Sequence, residues 1–247
     1  NTPKVLILSF VLAGIPLALI LKQPDLSTTI VTALIFAALL FVAGLSYKIV
    51  AGVLALGVPT SIIGIILILK HALPLNEYQY KRIYSWLQPS KYADDAYQQQ
   101  NSIMAIGSGQ LWGKGLNNSS IASMKNGNFI SEPQTDFIFA VVGEELGFIG
   151  CVIVIVLLLL IVFECILIAK NAKDLGGRLI CCGMAALIGF QSFINICVTT
   201  GLMPNTGLPL PFVSYGLTSL MSLFIGLGLV LNVGLQARKY HGLGDIE

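Results

Sequence analysis

The chain has 247 residues, of which 55% are hydrophobic and 11% are charged, and its mean hydropathy is +0.84. Soluble domains carry about 25% charged residues. The composition therefore excludes an ordinary soluble protein and predicts an integral membrane protein. The formal net charge of +2 and the absence of a basic run in the sequence argue against nucleic-acid binding.

Six apolar segments approach the length of about 20 residues that a helix needs to cross a bilayer. They cover residues 5–21, 28–46, 49–70, 147–169, 179–200 and 216–236. Ser27 is the expected cap of the second segment. The sequence therefore predicts an all-α, polytopic transmembrane helical bundle. Its expected organisation is three helices in residues 1–70, one large external loop in residues 71–145, and three helices with a tail in residues 146–247.

Lys and Arg residues in short loops indicate orientation, because they are enriched on the cytoplasmic side of a membrane. The predicted spans bring seven such residues to one side: Lys4, Lys48, Lys170, Lys173, Arg178, Arg238 and Lys239. We therefore expect this side, with the C-terminal tail, to be cytoplasmic. The large loop and residues 202–215 would then face the exterior of the plasma membrane.

The large loop concentrates the polar chemistry of the chain. Seven of the twelve acidic residues lie in it: Glu77, Asp94, Asp95, Glu132, Asp136, Glu144 and Glu145. Residues 95–106 are predicted to form a short amphipathic helix. Near its end the loop reads Ser-Glu-Pro-Gln-Thr-Asp-Phe-Ile-Phe, which places Asp136 at the mouth of an apolar helix. Asp136 is therefore the leading candidate for a functional residue.

Residues 201–216 contain three prolines and three glycines and yet stay largely apolar. Irregular backbone is tolerated at membrane depth only where it packs in protein or lines a wet cavity. We therefore predict a re-entrant or broken segment that lies beside the large loop.

The cysteines lie in apolar segments, show no C-x-x-C spacing and have no histidine nearby. We interpret them as small packing residues and predict neither a disulfide nor a metal site from them.

Five blocks of sequence, in order along the chain, resemble the SEDS family (shape, elongation, division and sporulation proteins, including RodA, FtsW and SpoVE). The blocks cover residues 22–28, 78–83, 102–116, 132–150 and 195–216. A Leu-Pro-Leu-Pro run and Thr206, where division-type members often carry Lys, make the chain most similar to RodA. The family typically has ten spans, so the resemblance implies that these six correspond to its C-terminal six and that about four N-terminal spans are missing.

The resemblance implies peptidoglycan glycosyltransferase activity: polymerisation of lipid II into glycan strands for cell-wall elongation or division. It also implies a class B penicillin-binding protein as transpeptidase partner, in contact with membrane lipids. Asp136 matches the family's catalytic aspartate. Gln134 stands where the family often has His, and because Gln does not titrate near neutral pH, we do not expect it to be essential.

Glycosyl transfer from a lipid diphosphate needs a base for the acceptor hydroxyl, cations or donors for the leaving diphosphate, and aligned substrates. Asp136 is the predicted general base, since partial desolvation beside the bilayer strengthens the basicity of a carboxylate. The alternative is structural: Thr135 caps the following helix and Asp136 complements its positive N-terminal dipole.

Six further residues are candidates for substrate binding: Lys114, Arg82, Glu144, Glu145, Ser214 and Tyr215. Lys114 lies between two glycines, whose amides could form a phosphate-binding nest; contact with solvent or lipid headgroups is its alternative. The two glutamates could bind a divalent cation or acceptor hydroxyls, or could cap a helix or form interhelical hydrogen bonds. The hydroxyls of Ser214 and Tyr215 could contact substrate, cap the last span, or hydrogen-bond the loop.

Two other functions are compatible with the sequence. A flippase for the lipid-linked precursor would need charges near the bilayer midplane, whereas Glu164 is the one acid within a predicted span and lies near its cytoplasmic end. A membrane scaffold would recruit its partner through a face of small residues in the fifth span, at Gly183, Ala185, Ala186 and Gly189. Internal helix packing would use that face equally well.

Overall fold

The computed structural model describes residues 3–23, 25–44, 77–116 and 134–241, and within these ranges the chain is helical apart from its turns and loops. The helices in chain order are α1 (Pro3–Lys22), α2 (Leu26–Val42), α3 (Glu77–Leu87), α4 (Ala93–Ser108), α5 (Ile138–Lys170), α6 (Leu175–Thr199) and α7 (Leu217–His241). The predicted third span lies outside the described residues. The all-helical architecture confirms the expected fold class.

Three of these helices are long and apolar enough to cross a bilayer: α5, α6 and residues 217–236 of α7. The chain is therefore an integral membrane protein. The first two helices also contain apolar stretches, Val11–Ile20 in α1 and Ser27–Val42 in α2, which are shorter than those of the three long helices. In the large loop, α4 confirms the predicted amphipathic helix and extends it by two residues at each end.

Asp25, not Ser27, caps α2. The Asp25 carboxylate accepts a hydrogen bond from the Thr28 backbone amide at 3.0 Å and another from the Thr28 hydroxyl at 2.6 Å. An aspartate at the N-cap reaches the amide three residues ahead, which would otherwise lack a partner. The prediction of Ser27 as the cap was therefore wrong, because the helix begins one residue before it.

Helix α5 contains a break at Gly147, whose φ of +69° and ψ of −164° are not helical. The break separates residues 138–146 from the long apolar stretch that follows. The predicted fourth span began at this position, so hydropathy marked the start of the apolar stretch. It missed the turns before the break because Glu144 and Glu145 interrupt the apolar run there.

The segment of residues 109–115, which follows α4, supplies the hydrogen bonds that the broken helix loses. The Phe148 and Ile149 amides donate to the carbonyls of Gln110 and Leu111, at 2.8 and 3.3 Å. In return, the amides of residues 114 and 115 donate to the carbonyls of residues 144 and 145, at 2.9 and 3.0 Å. Backbone polar groups near a bilayer must find partners in the protein. The break and the segment therefore stabilise each other.

Helix α6 lies at the centre of the bundle, packed against α2, α5 and α7. Its small residues permit these contacts: Gly183 faces Leu39 of α2, and Gly189 faces Val162 of α5. Internal packing therefore uses part of the face that a scaffold would have offered. All the cysteines are free thiols, and four of the five are buried.

Candidate active site at one end of the helix bundle

Asp136 lies in a turn of residues 134–137 that leads into α5. The turn is anchored by Phe137, whose side chain is 2% exposed in an apolar cluster with Ala105, Ile194 and Leu208. Phe137 is also the N-cap of α5, and it makes no side-chain capping bond. Thr135 is therefore not the helix cap, which removes the capping half of the structural interpretation. The Asp136 carboxylate stays half-buried at the edge of this anchor.

Three consecutive backbone carbonyls of this turn are held by residues on α6 and in the α6–α7 loop. The Tyr215 amide donates to the carbonyl of Gln134 at 2.8 Å, and the Ser214 hydroxyl donates to that of Thr135 at 2.6 Å. The Asn195 side-chain amide donates to the carbonyl of Asp136 at 2.7 Å. These three hydrogen bonds fix the position and orientation of the turn relative to α6 and the α6–α7 loop. They thereby fix the position of the Asp136 backbone, from which the carboxylate extends.

The side chains of Asp136 and Arg82 both lie next to Gly207, in the α6–α7 loop. A Cβ atom built on Gly207 would lie 3.4 Å from Oδ2 of Asp136 and 3.7 Å from Nη2 of Arg82. The φ of Gly207 is +72°, a backbone conformation that disfavours any side chain. The missing side chain therefore leaves room at the point where the carboxylate and the guanidinium converge.

Helices α3 and α4 are tied across this end of the bundle by hydrogen bonds to the end of α6 and the loop after it. Trp86 Nε1 donates to the Gly201 carbonyl at 2.9 Å. The Gln99 side-chain amide donates to the carbonyls of Val198 and Met203, at 2.8 and 2.7 Å. The prediction that residues 201–216 form an irregular segment beside the large loop is confirmed. The bond from Trp86 also holds α3, and with it Arg82, beside the α6–α7 loop.

Lys114 forms an ion pair with Glu144, with 2.8 Å between Nζ and Oε1. The Glu144 side chain is 2% exposed and that of Lys114 is 28% exposed. The amides of Lys114 and Gly115 bond carbonyls of α5, so they do not form the nest that the sequence suggested for phosphate. The observed bond of Glu144 therefore joins α5 to the non-helical segment of residues 109–115, and not to another helix.

The other predicted substrate-binding residues occupy different positions. Glu145 is half-buried, and its carbonyl accepts the bond from Gly115. Ser214 bonds within the loop as one alternative predicted, because its oxygen also accepts from the Leu210 amide at 2.6 Å. Tyr215 is 77% exposed, and its recorded contact with the turn is made by its backbone amide. In the described part of the chain, no three His, Cys, Asp or Glu side chains gather where they could hold a metal ion.

Sequence analysis missed the role of Asn195. Its side chain is 1% exposed, within a membrane helix, and it bonds the carbonyls of both Asp136 and Leu208. A side-chain amide in an apolar helix is a usable signal, because such groups commonly hydrogen-bond across helices. The signal cannot name the partner, which lies 59 residues away in the sequence.

A family model described as "Cell cycle protein", covering FtsW, RodA and SpoVE, matches residues 1–239. The chain belongs to this family, the SEDS family, as its sequence blocks predicted. The match spans the turn that carries Asp136, helix α6 and the loop with Gly207.

Curated relatives with different names match at similar identity. The chain is 34% identical over 230 residues to the probable peptidoglycan glycosyltransferase FtsW of Geobacter metallireducens, covering 92% of this chain and 58% of the relative. It is 37% identical over 223 residues to the stage V sporulation protein E of Bacillus subtilis, covering 89% and 57%. It is 34% identical over 227 residues to the peptidoglycan glycosyltransferase MrdB of Escherichia coli, covering 92% and 59%. The chain thus spans less than two thirds of the length of these relatives.

Two solved structures share the fold. One is described as "Structural coordination of polymerization and crosslinking by a peptidoglycan synthase complex"; it has a TM-score of 0.68 and 30% identity, covering 93% of this chain and 61% of the other. The second is a mutant of the rod shape determining protein RodA of Thermus thermophilus, with a TM-score of 0.60 and 27% identity, covering 96% and 59%.

Proposed function

We propose that the protein is a peptidoglycan glycosyltransferase that polymerises lipid II into glycan strands for the cell wall. The observation that carries this proposal is that the side chains of Asp136 and Arg82 both lie beside Gly207. Three hydrogen bonds hold the turn in which Asp136 lies. A carboxylate and a guanidinium at one point supply the base and the cation that transfer from a diphosphate requires. The names of the FtsW and MrdB relatives, both peptidoglycan glycosyltransferases, support the same reaction.

In the proposed reaction, Asp136 is the general base. Its carboxylate takes the proton of the acceptor sugar hydroxyl while that oxygen forms a bond to the anomeric carbon of the donor sugar. The bond between that carbon and the diphosphate oxygen breaks, and its electron pair leaves with the lipid diphosphate. Holding the turn rigidly keeps the carboxylate at a fixed distance from the acceptor, which lowers the entropic part of the barrier.

The Arg82 guanidinium would stabilise the negative charge that develops on the leaving diphosphate. Guanidinium groups bind phosphate oxygens through paired, charge-assisted hydrogen bonds. Its position beside Gly207 places it close to the base without a side chain between them. Lys114, already paired with Glu144, would act mainly by holding residues 109–115 against α5.

The site would face the exterior of the plasma membrane, where the growing strand lies. Lys170, Lys173 and Arg178 lie at the turn between α5 and α6, at the opposite ends of these helices from Asp136. Lysine and arginine in a short loop favour the cytoplasmic side. We further propose a class B penicillin-binding protein as partner, in line with the relative described as part of a complex that couples polymerisation with crosslinking.

The decisive test compares Asp136→Asn with Asp94→Asn, an exposed acid of α4 that serves as the control. The purified proteins, with the partner present, would be given labelled lipid II and the products resolved on a gel. Asp136→Asn keeps the shape and removes the base, so we expect polymer formation to fall at least about 100-fold. Asp94→Asn should match the unsubstituted protein.

Equal polymer from Asp136→Asn and the unsubstituted protein would remove Asp136 from the mechanism. If the unsubstituted protein forms no polymer with its partner present, the glycosyltransferase proposal is wrong. A vesicle assay for lipid II translocation would then test the flippase alternative directly.

A further inference from the structure

We propose that Asn195 is a positioning residue for Asp136, one that sets the distance between the catalytic turn and the loop that faces it. This inference rests on the proposed function. Asn195 touches no reacting atom; it acts through the backbone of the residue that does.

The two donor hydrogens of the Asn195 amide connect two separate parts of the chain. One bonds the carbonyl of Asp136 at 2.7 Å, and the other bonds the carbonyl of Leu208 at 2.6 Å. Leu208 directly follows Gly207, the residue that faces both the Asp136 carboxylate and Arg82. One buried amide therefore holds both the turn that carries Asp136 and the part of the α6–α7 loop that contains Gly207.

The orientation of the amide follows from its partners. Both partners are carbonyl oxygens, which only accept hydrogen bonds, so the nitrogen of the amide must face them. Among the residues that the structure describes, none donates a hydrogen bond to the buried Oδ1 atom. A buried polar atom in that state lowers the stability of the fold.

This cost argues that Asn195 does more than stabilise the fold. Within the described part of the chain, two further buried oxygens, on Ser192 of α6 and Thr206 of the α6–α7 loop, also have no hydrogen-bond partner. Polar groups kept in an unfavourable state often mark functional sites, where geometry matters more than stability. We interpret the unpaired oxygen of Asn195 as tolerated because the amide nitrogen of the same side chain holds the turn that carries Asp136.

The informative substitution is Asn195→Asp, because it replaces the donor by a group whose protonation can be controlled. An ionised carboxylate would repel both carbonyls, whereas a protonated one could donate to one of them. The charged groups beside this loop include Asp136 and Arg82. From neighbouring helices, Val31 of α2 and Ala105 of α4 contribute apolar groups to the adjoining cluster.

Gln191 offers a matched control one turn earlier on α6. Its side-chain amide donates to the Pro209 carbonyl at 2.9 Å, in the same loop. Gln191→Glu likewise replaces a side-chain amide by a carboxyl group facing the α6–α7 loop. The Gln191 amide bonds Pro209 of that loop, whereas the Asn195 amide also bonds the turn of residues 134–137. Comparing the two variants separates a general loss of loop stability from a loss of Asp136 placement.

The experiment measures kcat and KM for lipid II polymerisation by the protein at full length with its partner. For Asn195→Asp we expect kcat to fall about 10- to 100-fold with KM within about twofold, because the base is displaced and substrate binding is not. Gln191→Glu should stay within about threefold of the unsubstituted protein. The ratio of Asn195→Asp to unsubstituted activity should rise from about pH 8 to about pH 6, as the new carboxyl becomes protonated.

Asn195→Leu keeps the experiment decisive if the aspartate variant does not fold. Leucine has a similar size and adds no charge, but it removes the donor of both carbonyls, so we expect a moderate loss of stability and a loss of rate similar to that of Asn195→Asp. Equal losses in Asn195→Asp and Gln191→Glu, a ratio that does not change with pH, or full activity in Asn195→Leu would each overturn the proposal.

Failure of the proposed function gives a different result, namely no polymer from the unsubstituted protein. Hydrogen exchange of residues 134–140 in Asn195→Leu would then still decide the positioning role. Faster exchange there than in Gln191→Glu supports it, and unchanged exchange overturns it.

Discussion

Single residues shape the candidate site chiefly by bonding backbone groups of the turn that carries Asp136. Ser214, Asn195 and the Tyr215 amide each take one of three successive carbonyls. Carbonyl groups beside a bilayer have little access to water and must be satisfied by the protein. A site of this kind is sensitive to any residue that changes the spacing between the turn and the facing loop.

Gly207→Ala tests that spacing. The added methyl group would lie against the Asp136 carboxylate and close to Arg82, so we expect the polymerisation rate to fall about tenfold or more. The measurement is lipid II polymerisation together with the free energy of unfolding in mild detergent. Gly44→Ala is the control, because Gly44 has a φ of +96° but open space around it. Both variants should lose about 1–2 kcal/mol of stability from backbone strain. Unchanged polymerisation in Gly207→Ala would contradict the proposed arrangement.

At the scale of elements, the break in α5 and the segment of residues 109–115 form one unit. The segment replaces the helical hydrogen bonds that Gly147 interrupts. The ion pair of Lys114 with the buried Glu144 then holds the segment in place. Because the turn that carries Asp136 leads directly into α5, this unit supports the candidate site through the first turns of that helix.

Lys114→Met should destabilise the protein far more than Lys81→Met. Removing Lys114 leaves the Glu144 carboxylate buried without its cation, which costs about 3 kcal/mol. Lys81 pairs with Glu77 at 3.7 Å on an exposed face of α3, and such pairs contribute less than about 0.5 kcal/mol. Unfolding in mild detergent would measure both changes. Similar small losses in the two variants would show that the Lys114–Glu144 pair does not hold the segment.

At the scale of the whole molecule, the irregular and polar structure gathers at one end of an apolar bundle. Helices α3 and α4, the turn of residues 134–137 and the α6–α7 loop are joined there by side-chain hydrogen bonds. The turn between α5 and α6, with Lys170 and Lys173, lies at the other end. In the orientation that we propose from the positive-inside rule, the end with Lys170 and Lys173 is cytoplasmic.

Labelling with a membrane-impermeant thiol reagent tests this orientation. Lys91→Cys, in the exposed turn between α3 and α4, should react in intact cells. Lys173→Cys, in the exposed turn between α5 and α6, should react only after the membrane is opened. The native cysteines would be replaced by serine or alanine beforehand. Labelling of Lys173→Cys in intact cells, with Lys91→Cys protected, would reverse the proposed orientation.

Much of the architecture was accessible from the sequence. Hydropathy predicted the apolar helices and located the start of the long stretch in α5 at Gly147, and residue pattern predicted α4 and the irregular segment after α6. The position of Asp136 at the end of the polar loop made it the leading candidate, the resemblance to the SEDS family implied its catalytic role, and the family assignment was confirmed. Local detail was less secure: the cap of α2 was misplaced, and the amides around Lys114 bond α5 carbonyls in place of the expected phosphate.

The sequence by itself determined that this is a helical membrane protein of the SEDS family with one conspicuous aspartate, because hydropathy and residue pattern are properties of short stretches of chain. Only the tertiary structure decided what surrounds that aspartate. The bonds that hold its turn join residues 59 and 79 positions apart, and the bond from Trp86 to Gly201 spans 115 positions. Such partners are chosen by how helices pack against one another, and no local property of the sequence specifies that packing.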